Sequence, residues 1–477
     1  MKERNAYLTN MQTLSSNHET STIEVQAADY YAPVRILELE LSHPLPTISA
    51  VDDKTGQIYR RANCLVRLHT QPLDIVELTL DKSEVHPDEY VQHIWQALQM
   101  QINEHLQHDG LPSISGLDER GIIDPRTPRC LEERERFLAD APFVSIIVST
   151  HDRPERIPAC LRSLLALQYP RYEVIIVDNT PSTTATAELI QQTYRDVPQV
   201  RYIREDRPGL GWGHNCGMMA ASGEILAITD DDVVVDPYWL VELVRAFSLA
   251  EDVACVTGLV LPLELETSAQ FWFEEYGGFS MGFTRSIFDM KENHPRTPLH
   301  PYAVGRFGTG ASMAFTAAFL HSIGGFDPAL GPGTLAQNGE DLAIFFQVVS
   351  QGHKLLYQPA ALVYHLHRRD YASLRKQIST YGVGLTAYLT KSLLDNPRLL
   401  VDFVTKVPHG LFFSLSSRSS KNSQKSTHFP KELIRLERKG MLYGPFAYLQ
   451  SRRALRHVRK AFAPAETYPT PSVAREV

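Results

Sequence analysis

Apolar positions from Phe143 onward come in two kinds of run, and the two alternate. FVSIIVST (143–150) is an unbroken β-branched stretch, followed by a leucine-rich helical segment, IPACLRSLLAL (157–167). A second apolar run, YEVIIVDN (172–179), is followed by the helix-like TATAELIQQTYRD (184–196) and the short strand VRYIRE (200–205). A Gly-rich loop and helix, GLGWGHNCGMMAASG (209–223), then leads into a third strong run, ILAITDDD (225–232). Apolar strands alternating with helices of about 10–15 residues predict βαβ units and a parallel sheet covered on both faces. The three strong runs end on Thr150 and Asp152, on Asp178, and on Asp230, Asp231 and Asp232. In open α/β sheets ligands bind beyond the carboxyl ends of the strands, so three strands aim polar groups at one crevice.

The pattern on either side is different. Residues 262–306 are irregular and aromatic, GTGASMAF (308–315) reads as a strand, and GGFDPALGPGTLAQNGE (324–340) as a long loop. DLAIFFQVVSQG (341–352) has helical spacing, with Leu342, Phe345, Phe346 and Val349 on its buried face. Upstream, 1–28 is polar and reads as a disordered lead. Strand-like runs at 34–41, 64–70 and 74–80 follow, with a hairpin turn expected at Gln71-Pro72. A helix starting near Pro87 places Val91, Ile94, Trp95 and Leu98 on one side. The predicted organisation is a lead (1–28), a small α+β domain and linker ending in CLEERERFL (29–140), an α/β catalytic domain (141–370) and a helical basic extension (371–477).

Asp230-Asp231-Asp232 is the sharpest chemical feature. Three adjacent carboxylates raise each other's pKa unless a cation intervenes, and Mg²⁺ or Mn²⁺ prefers oxygen ligands shared with substrate phosphates. Side chains alternate on a strand, so Asp230 and Asp232 share a face and Asp231 points away. Asp178 is placed either to accept hydrogen bonds from a nucleobase or ribose, or to cap the next helix. Arg153 can meet a phosphate or simply shape a helix entry. Gly209, Gly211 and Gly213 suggest a phosphate-cradling loop, although their spacing matches neither GxGxxG nor a Walker sequence. Asn215 is a ligand or a cap. Glu340 and Asp341 open a helix, where acids suit the dipole; Asp341 can equally act as a general base at the crevice mouth. His365 and His367 face the same way if extended, and a neutral imidazole there can join a metal shell.

Composition narrows the classes. With 43% hydrophobic and 21% charged residues the chain is globular, and a net charge of −8 excludes a nucleic-acid binder by bulk charge. That charge is uneven. Arg398 to Ala463 contains 14 Lys and Arg against 3 Asp and Glu, a local +11 that leaves −19 for the rest. The apolar LLVDFVTKVPHGLFF (399–413) and the basic RRALRHVRKAF (452–462) fit either an anionic membrane surface or a solvated helical cap. The five cysteines are scattered and lack a CxxC pair, which argues against a disulfide framework or a zinc site. With no apolar leader and no spanning run, the expected location is cytoplasmic, with the inner face of the plasma membrane as an option.

Five segments in order resemble the inverting family-2 glycosyltransferases of the GT-A fold: 144–179, the loop ending HNCGMMAASGE, TDDDVVVDPYWL, GTGASMAF, and NGEDLAIFFQV followed by VYHLHRR. The resemblance covers about 142–370. It implies a Rossmann-like mixed sheet flanked by helices, and inverting transfer of a sugar from a nucleotide-diphosphate donor, UDP being the commonest, to a glycan or lipid-linked acceptor. It implies nucleoside contacts at Thr150, Arg153 and Asp178, a donor contact at Asn215, and Asp231 within the donor site. It further implies a divalent metal on Asp230 and Asp232, joined by His365, and Asp341 as catalytic base. Asp152 and His214 depart from the family's usual Asn and Arg. HLHRR stands where processive members carry QxxRW, which implies addition of a single sugar. Residues 29–140 match no part of the family. A nucleotidyltransferase and a non-catalytic sugar-nucleotide-binding protein are the competing readings.

Overall fold

The protein is described by a computed structural model covering residues 33–461 apart from 296 and 424; the lead assigned to 1–28 lies outside those residues. The N-terminal part contains β1 (Val34–Glu40), β2 (Ile48–Ser49), β3 (Arg61–Leu68), β4 (Gln71–Thr79), β5 (Glu84–Val85), α1 (Pro87–His108) and α2 (Arg129–Leu138). β3 lies between β1, to which it is parallel, and β4, to which it is antiparallel; β2 and β5 form a separate short ribbon. Val91, Ile94, Leu98, Ile102 and Leu106 of α1 are buried against this sheet, while Trp95 is only partly covered.

The hairpin turn is not at Gln71-Pro72, which already belongs to β4, but at His69-Thr70, with φ of 52° and 67°. Two-residue hairpin loops favour positive φ at both positions, where Gly and Asn are the usual residues. Here the conformation is held by Glu40, whose carboxylate accepts from His69 N at 3.0 Å and Thr70 N at 2.8 Å. Pro72 is tolerated because β4 is an edge strand.

Among the described residues, nine strands form the main sheet. Eight run in the order β10-β14-β11-β13-β9-β6-β7-β8, and β12 pairs with β14. The strands are β6 (Val144–Thr150), β7 (Tyr172–Asn179), β8 (Val200–Glu205), β9 (Ile225–Asp230), β10 (Val233–Val235), β11 (Val253–Pro262), β12 (Ser286–Phe288), β13 (Met313–Thr316) and β14 (Lys354–His365). β6 to β9 are mutually parallel, as the alternation predicts. The sheet as a whole is mixed, because β13 enters antiparallel between β9 and β11. GTGAS therefore runs as a loop, and the strand begins only at Met313.

Helices α3 (Ile157–Leu164), α4 (Ala185–Thr193), α5 (Leu210–Ala220), α6 (Trp239–Ala246), α7 (Ser268–Tyr276), α8 (Ala317–Ile323) and α9 (Glu340–Ser350) surround this sheet. Ile147, Ile175 and Val177 pack with residues of α5 and α9. Ile146, Val148, Val174 and Ile176 pack with α3 and α6. Both faces are apolar, which explains the continuous runs, and burying each such side chain stabilises by about 1.5–3 kcal/mol. α9 is covered on more than the predicted stripe: Ala343, Ile344 and Val348 are buried, and Leu342 only partly. The Gly-rich run is helix α5 itself. A Cβ at Gly217 would stand 2.5 Å from Ile147 Cγ2, so this glycine serves close helix–sheet packing.

Three C-terminal helices follow, α10 (Tyr371–Asp395), α11 (Leu399–Leu415) and α12 (Lys431–Ala461). Residues 452–461 of the basic segment form the end of α12 rather than a helix of their own. The N-terminal part is tied to β14, α6 and the loop before α6 by polar contacts. Arg67 meets Asp236 at 2.6 Å and Glu38 at 2.8 Å, Tyr364 OH donates to Glu38 at 2.7 Å, and Arg134 meets Glu242 at 3.1 Å.

Candidate active site

The chain lays β7 and β8 on one side of β6, then crosses to place β9 on the other. The topological switch point, where open α/β sheets bind ligands, thus lies between the ends of β6 and β9. Register sets Ser149 of β6 beside Asp230, and Thr150 beside Asp178 of β7.

Strand β9 stops at Asp230, and Asp231 and Asp232 form a turn before β10. The separation of Asp231 from its neighbours therefore comes from a strand–turn–strand step rather than from pleating. β10 pairs with β14 so that Val233 faces His365, and Leu366 N donates to Asp232 O at 2.9 Å. This register brings His365 Nε2 to 3.3 Å from Asp232 Oδ1. Asp230, Asp232 and His365 each offer one ligand atom, and these lie within 4.8 Å of one another. Two carboxylates and an imidazole suit Mn²⁺ or Mg²⁺, so the donor set fits the expected ion.

Electrostatics distinguish the three acids. Burial raises Asp230, repulsion from Asp232, Asp231 and Asp341 adds to it, and its pKa is pushed up to about 7. Burial also opposes ionisation of Asp232, but His365, Arg368 and Arg153 outweigh it and hold Asp232 well below the usual carboxylate range. Arg153 Nη1 and Arg368 Nη1 lie 3.4 and 3.6 Å from Asp232 Oδ2. Asp231 turns the other way. It accepts from Thr150 Oγ1 at 2.6 Å and meets Arg153 at 3.2 Å, so its carboxylate fixes those two side chains.

Asp178 is fully buried. Tyr202 OH donates to its Oδ2 at 3.0 Å, while Oδ1 has no hydrogen-bond partner among the described residues. Burial raises its pKa. It caps nothing, because α4 begins at Ala185 with Thr184 as its N-cap. Asn215 is engaged with the loop after α8. Its Nδ2 donates to Phe326 O and its Oδ1 accepts from Phe326 N, both at 2.8 Å, so the amide clamps the loop after α8. His214 is buried beside it on the Phe326 ring, and burial pushes its pKa down to about 4.

Asp341 sits in the first turn of α9. Its Oδ1 accepts from Leu342 N at 2.7 Å and its Oδ2 from Gly310 N at 3.1 Å; burial raises its pKa. Gly310 packs beside that carboxylate, where a Cβ would make an ordinary 3.5 Å contact. The neighbouring Glu340 is buried with Oε2 unpartnered among the described residues, and burial pushes its pKa well up.

Glu274 and Asn179 carry no usable sequence signal, whereas His367 is a candidate from its spacing to His365. His367 Nδ1 lies 2.9 Å from His365 Nδ1, and its Nε2 lies 2.8 Å from Glu274 on α7, giving a chain from Asp232 through two imidazoles to Glu274. Asn179 accepts from Gly209 N at 3.0 Å and donates to Arg207 O at 2.8 Å, fixing the start of α5. The aromatic FWFEEYGG stretch hides Glu274 among apolar residues, and Asn179 sits next to an acid of clearer chemistry.

Comparison with known proteins places the chain. The model of the glycosyltransferase-like family 2 matches residues 141–379. A glucosyl-dolichyl phosphate glucuronosyltransferase of Haloferax volcanii is 22% identical over 231 residues, covering 46% of this chain and 68% of that protein. The O-antigen biosynthesis protein RfbC of Myxococcus xanthus is 34% identical over 218 residues, but the match spans 42% of this chain and only 16% of RfbC. Among solved structures, the Pyrobaculum calidifontis mannosyltransferase PcManGT, in complex with GDP-Man and Mn²⁺, aligns with a TM-score of 0.40 at 19% identity, over 71% of this chain and 83% of its own.

Proposed function

The chain belongs to the glycosyltransferase-like family 2, and on that premise we propose that it moves one sugar, with inversion, from a nucleotide-diphosphate donor to a hydroxyl of a glycan or lipid-linked acceptor. The observation that carries the reading is the convergence of Asp230, Asp232 and His365 at the switch point of the sheet. These residues would hold a divalent cation, Mn²⁺ or Mg²⁺. When bound, such an ion supplies Lewis-acid stabilisation of the charge that collects on a departing diphosphate.

The chain's own groups do the rest. Arg153 and Arg368 flank Asp232 and offer guanidinium N–H groups to phosphate oxygens. Asp178 keeps one buried acceptor for a nucleobase or ribose donor. Asp341 takes the proton of the acceptor hydroxyl as that oxygen bonds to the anomeric carbon. The bond from that carbon to the diphosphate oxygen breaks, and the diphosphate leaves with the electron pair. Burial raises the pKa of Asp341 and so makes it a better proton acceptor; general-base catalysis of this kind is worth about 10²–10⁴-fold. A single displacement with one base inverts the centre and needs no carboxylate nucleophile. UDP is the first donor nucleotide to test, followed by GDP and dTDP. The dolichyl-phosphate substrate in the Haloferax relative's name favours a lipid-linked acceptor.

The C-terminal helices support a membrane surface as a further partner. No residue of α11 is buried, and Leu400, Val401, Val404, Leu411, Phe412 and Leu415 are exposed, as is Leu442 of α12. Among the described residues no helix is long and apolar enough to cross a membrane. Exposed apolar side chains on a segment of charge +11 suit the interface of an anionic bilayer.

A thermal-shift screen of nucleotide sugars with Mn²⁺ tests the function. A donor at 100 times its Kd stabilises the native state by about 2.7 kcal/mol, a shift of several degrees. No shift with any UDP, GDP or dTDP sugar would remove the reading.

A further inference from the structure

A second cluster of ligand-type side chains lies far from the acids, in the N-terminal part. Three elements build it: the β3–β4 turn supplies His69, the last turn of α1 supplies His105 and Asp109, and the first turn of α2 supplies Cys130. His69 Nδ1 is 2.6 Å from Asp109 Oδ2 and 3.1 Å from His105 Nε2. His105 Nε2 and Cys130 Sγ each lie 3.1 Å from the same Asp109 Oδ2. All four ligand atoms fall within 4.8 Å of one another. We propose that His69 Nδ1, His105 Nε2, Asp109 Oδ2 and Cys130 Sγ form a structural zinc site.

Hydrogen bonds from both imidazoles and the thiol to Asp109 Oδ2 account for three of these contacts but leave the 3.1 Å approach of the two imidazole nitrogens without one. Each imidazole nitrogen has one direction in its ring plane, carrying either a proton or a lone pair. It can point at one neighbour, yet the two imidazole nitrogens and the carboxylate oxygen each have the other two within 3.1 Å. A cation at the centre takes all three lone pairs and the thiolate at once. Tetrahedral Zn²⁺ with bonds of about 2.0–2.3 Å needs ligand separations of about 3.3–3.6 Å, which the contacts to Asp109 Oδ2 and between the imidazoles, at 2.6–3.1 Å, reach by opening less than about 1 Å. Asp109 is buried at the C-cap of α1, the negative end of a 22-residue helix, where a carboxylate needs a positive partner. Its other oxygen is already anchored, accepting from Cys130 N at 3.0 Å, as outer contacts orient metal ligands.

Four protein ligands close the coordination shell, which marks a structural rather than a catalytic site. Binding releases the Cys130 thiol proton to solvent. The ion would lock the His69-Thr70 turn to both helices. That turn is also where Arg134 donates to Thr70 Oγ1 at 2.6 Å while meeting Glu242 of helix α6, so the site braces the junction between the two parts. The residues are spread from 69 to 130 with no paired spacing, which is why the cysteine pattern argued against zinc.

The test uses the full chain, produced with zinc and dialysed without chelator. Elemental analysis is expected to find one zinc per chain, unchanged in Asp232→Ala and reduced roughly tenfold or more in Cys130→Ala and His105→Ala. If those variants fail to fold, cobalt decides on the wild-type chain. Metal-free protein given Co²⁺ should show a thiolate-to-cobalt charge-transfer band and the visible bands of a tetrahedral ion. Folded wild-type protein with neither zinc nor a thiolate–cobalt band would overturn the proposal, as would full zinc retention in Cys130→Ala.

Discussion

Replacing His214 by Phe isolates the cost of charging a buried imidazole beside the crevice. His214 is 2% exposed, packs on Phe326 at 4.8 Å between ring centres, and has neither ring nitrogen hydrogen-bonded among the described residues. Burial lowers its pKa from an ordinary 6.5 to about 4. The unfolded chain therefore takes up this proton at a higher pH than the folded chain does. Stability is intact above pH 6.5 and is lost as pH falls toward 4. A gap of about 2.5 in pKa corresponds to about 3 kcal/mol once both states are protonated, with roughly 1 kcal/mol already lost at pH 5.5 and over 2 at pH 4.5. Phe fills a similar space and cannot titrate, so any constant packing difference cancels when pH is varied. Urea unfolding midpoints of both proteins at pH 7, 5.5 and 4.5 give the comparison. The variant should gain on the wild type by those amounts as pH falls. Stability differences independent of pH would refute the reasoning, because His214 would then titrate as it does in the unfolded chain.

Gly217→Ala should lower stability by about 1–3 kcal/mol, because its Cβ meets Ile147 at 2.5 Å; an unchanged melting temperature would contradict the packing of α5. Asp236→Ala leaves Arg67 buried with only the more exposed Glu38 as a charged partner and should cost about 3–5 kcal/mol, read by chemical denaturation. Adding Arg67→Met should recover part of that loss, and additive effects would mean that the pair is not coupled. Val401→Asp with Phe412→Asp should abolish sedimentation with anionic vesicles while leaving melting unchanged. These point changes are cleaner than removing 398–477, which also deletes α12 from its packing along α10. Vesicle binding equal to wild type would remove α11 from the membrane.

The parallel half of the sheet was legible because β6, β7 and β9 are apolar on both faces, which leaves few other structures for such runs. Asp230, Asp232 and Asp341 stood out for a related reason: a charged residue directly after a buried strand, or opening a buried helix, is conspicuous. What the sequence hid depends on partners distant along the chain. The His69-Thr70 turn relies on Glu40, 29 residues upstream of His69. That Asn215 also clamps Phe326, 111 residues away, is invisible in its local pattern. The pairing of β10 with β14, which delivers His365 to Asp232, cannot be read from the local pattern of either segment. The glycines of α5 looked like a phosphate loop because spacing alone does not separate a turn from a helix pressed onto a sheet.

The central claim is that Asp341 acts on the acceptor while the Asp230–Asp232–His365 cluster serves the donor. The direct measurement is donor affinity and sugar transfer, taken side by side for Asp341→Asn and Asp232→Ala in Mn²⁺. Asp341→Asn should bind the nucleotide sugar nearly as wild type and lose transfer by about 10²–10⁴-fold. Asp232→Ala should lose the part of donor affinity that EDTA removes from the wild type. Turnover unchanged in Asp341→Asn, or wild-type donor binding indifferent to EDTA, would contradict the account.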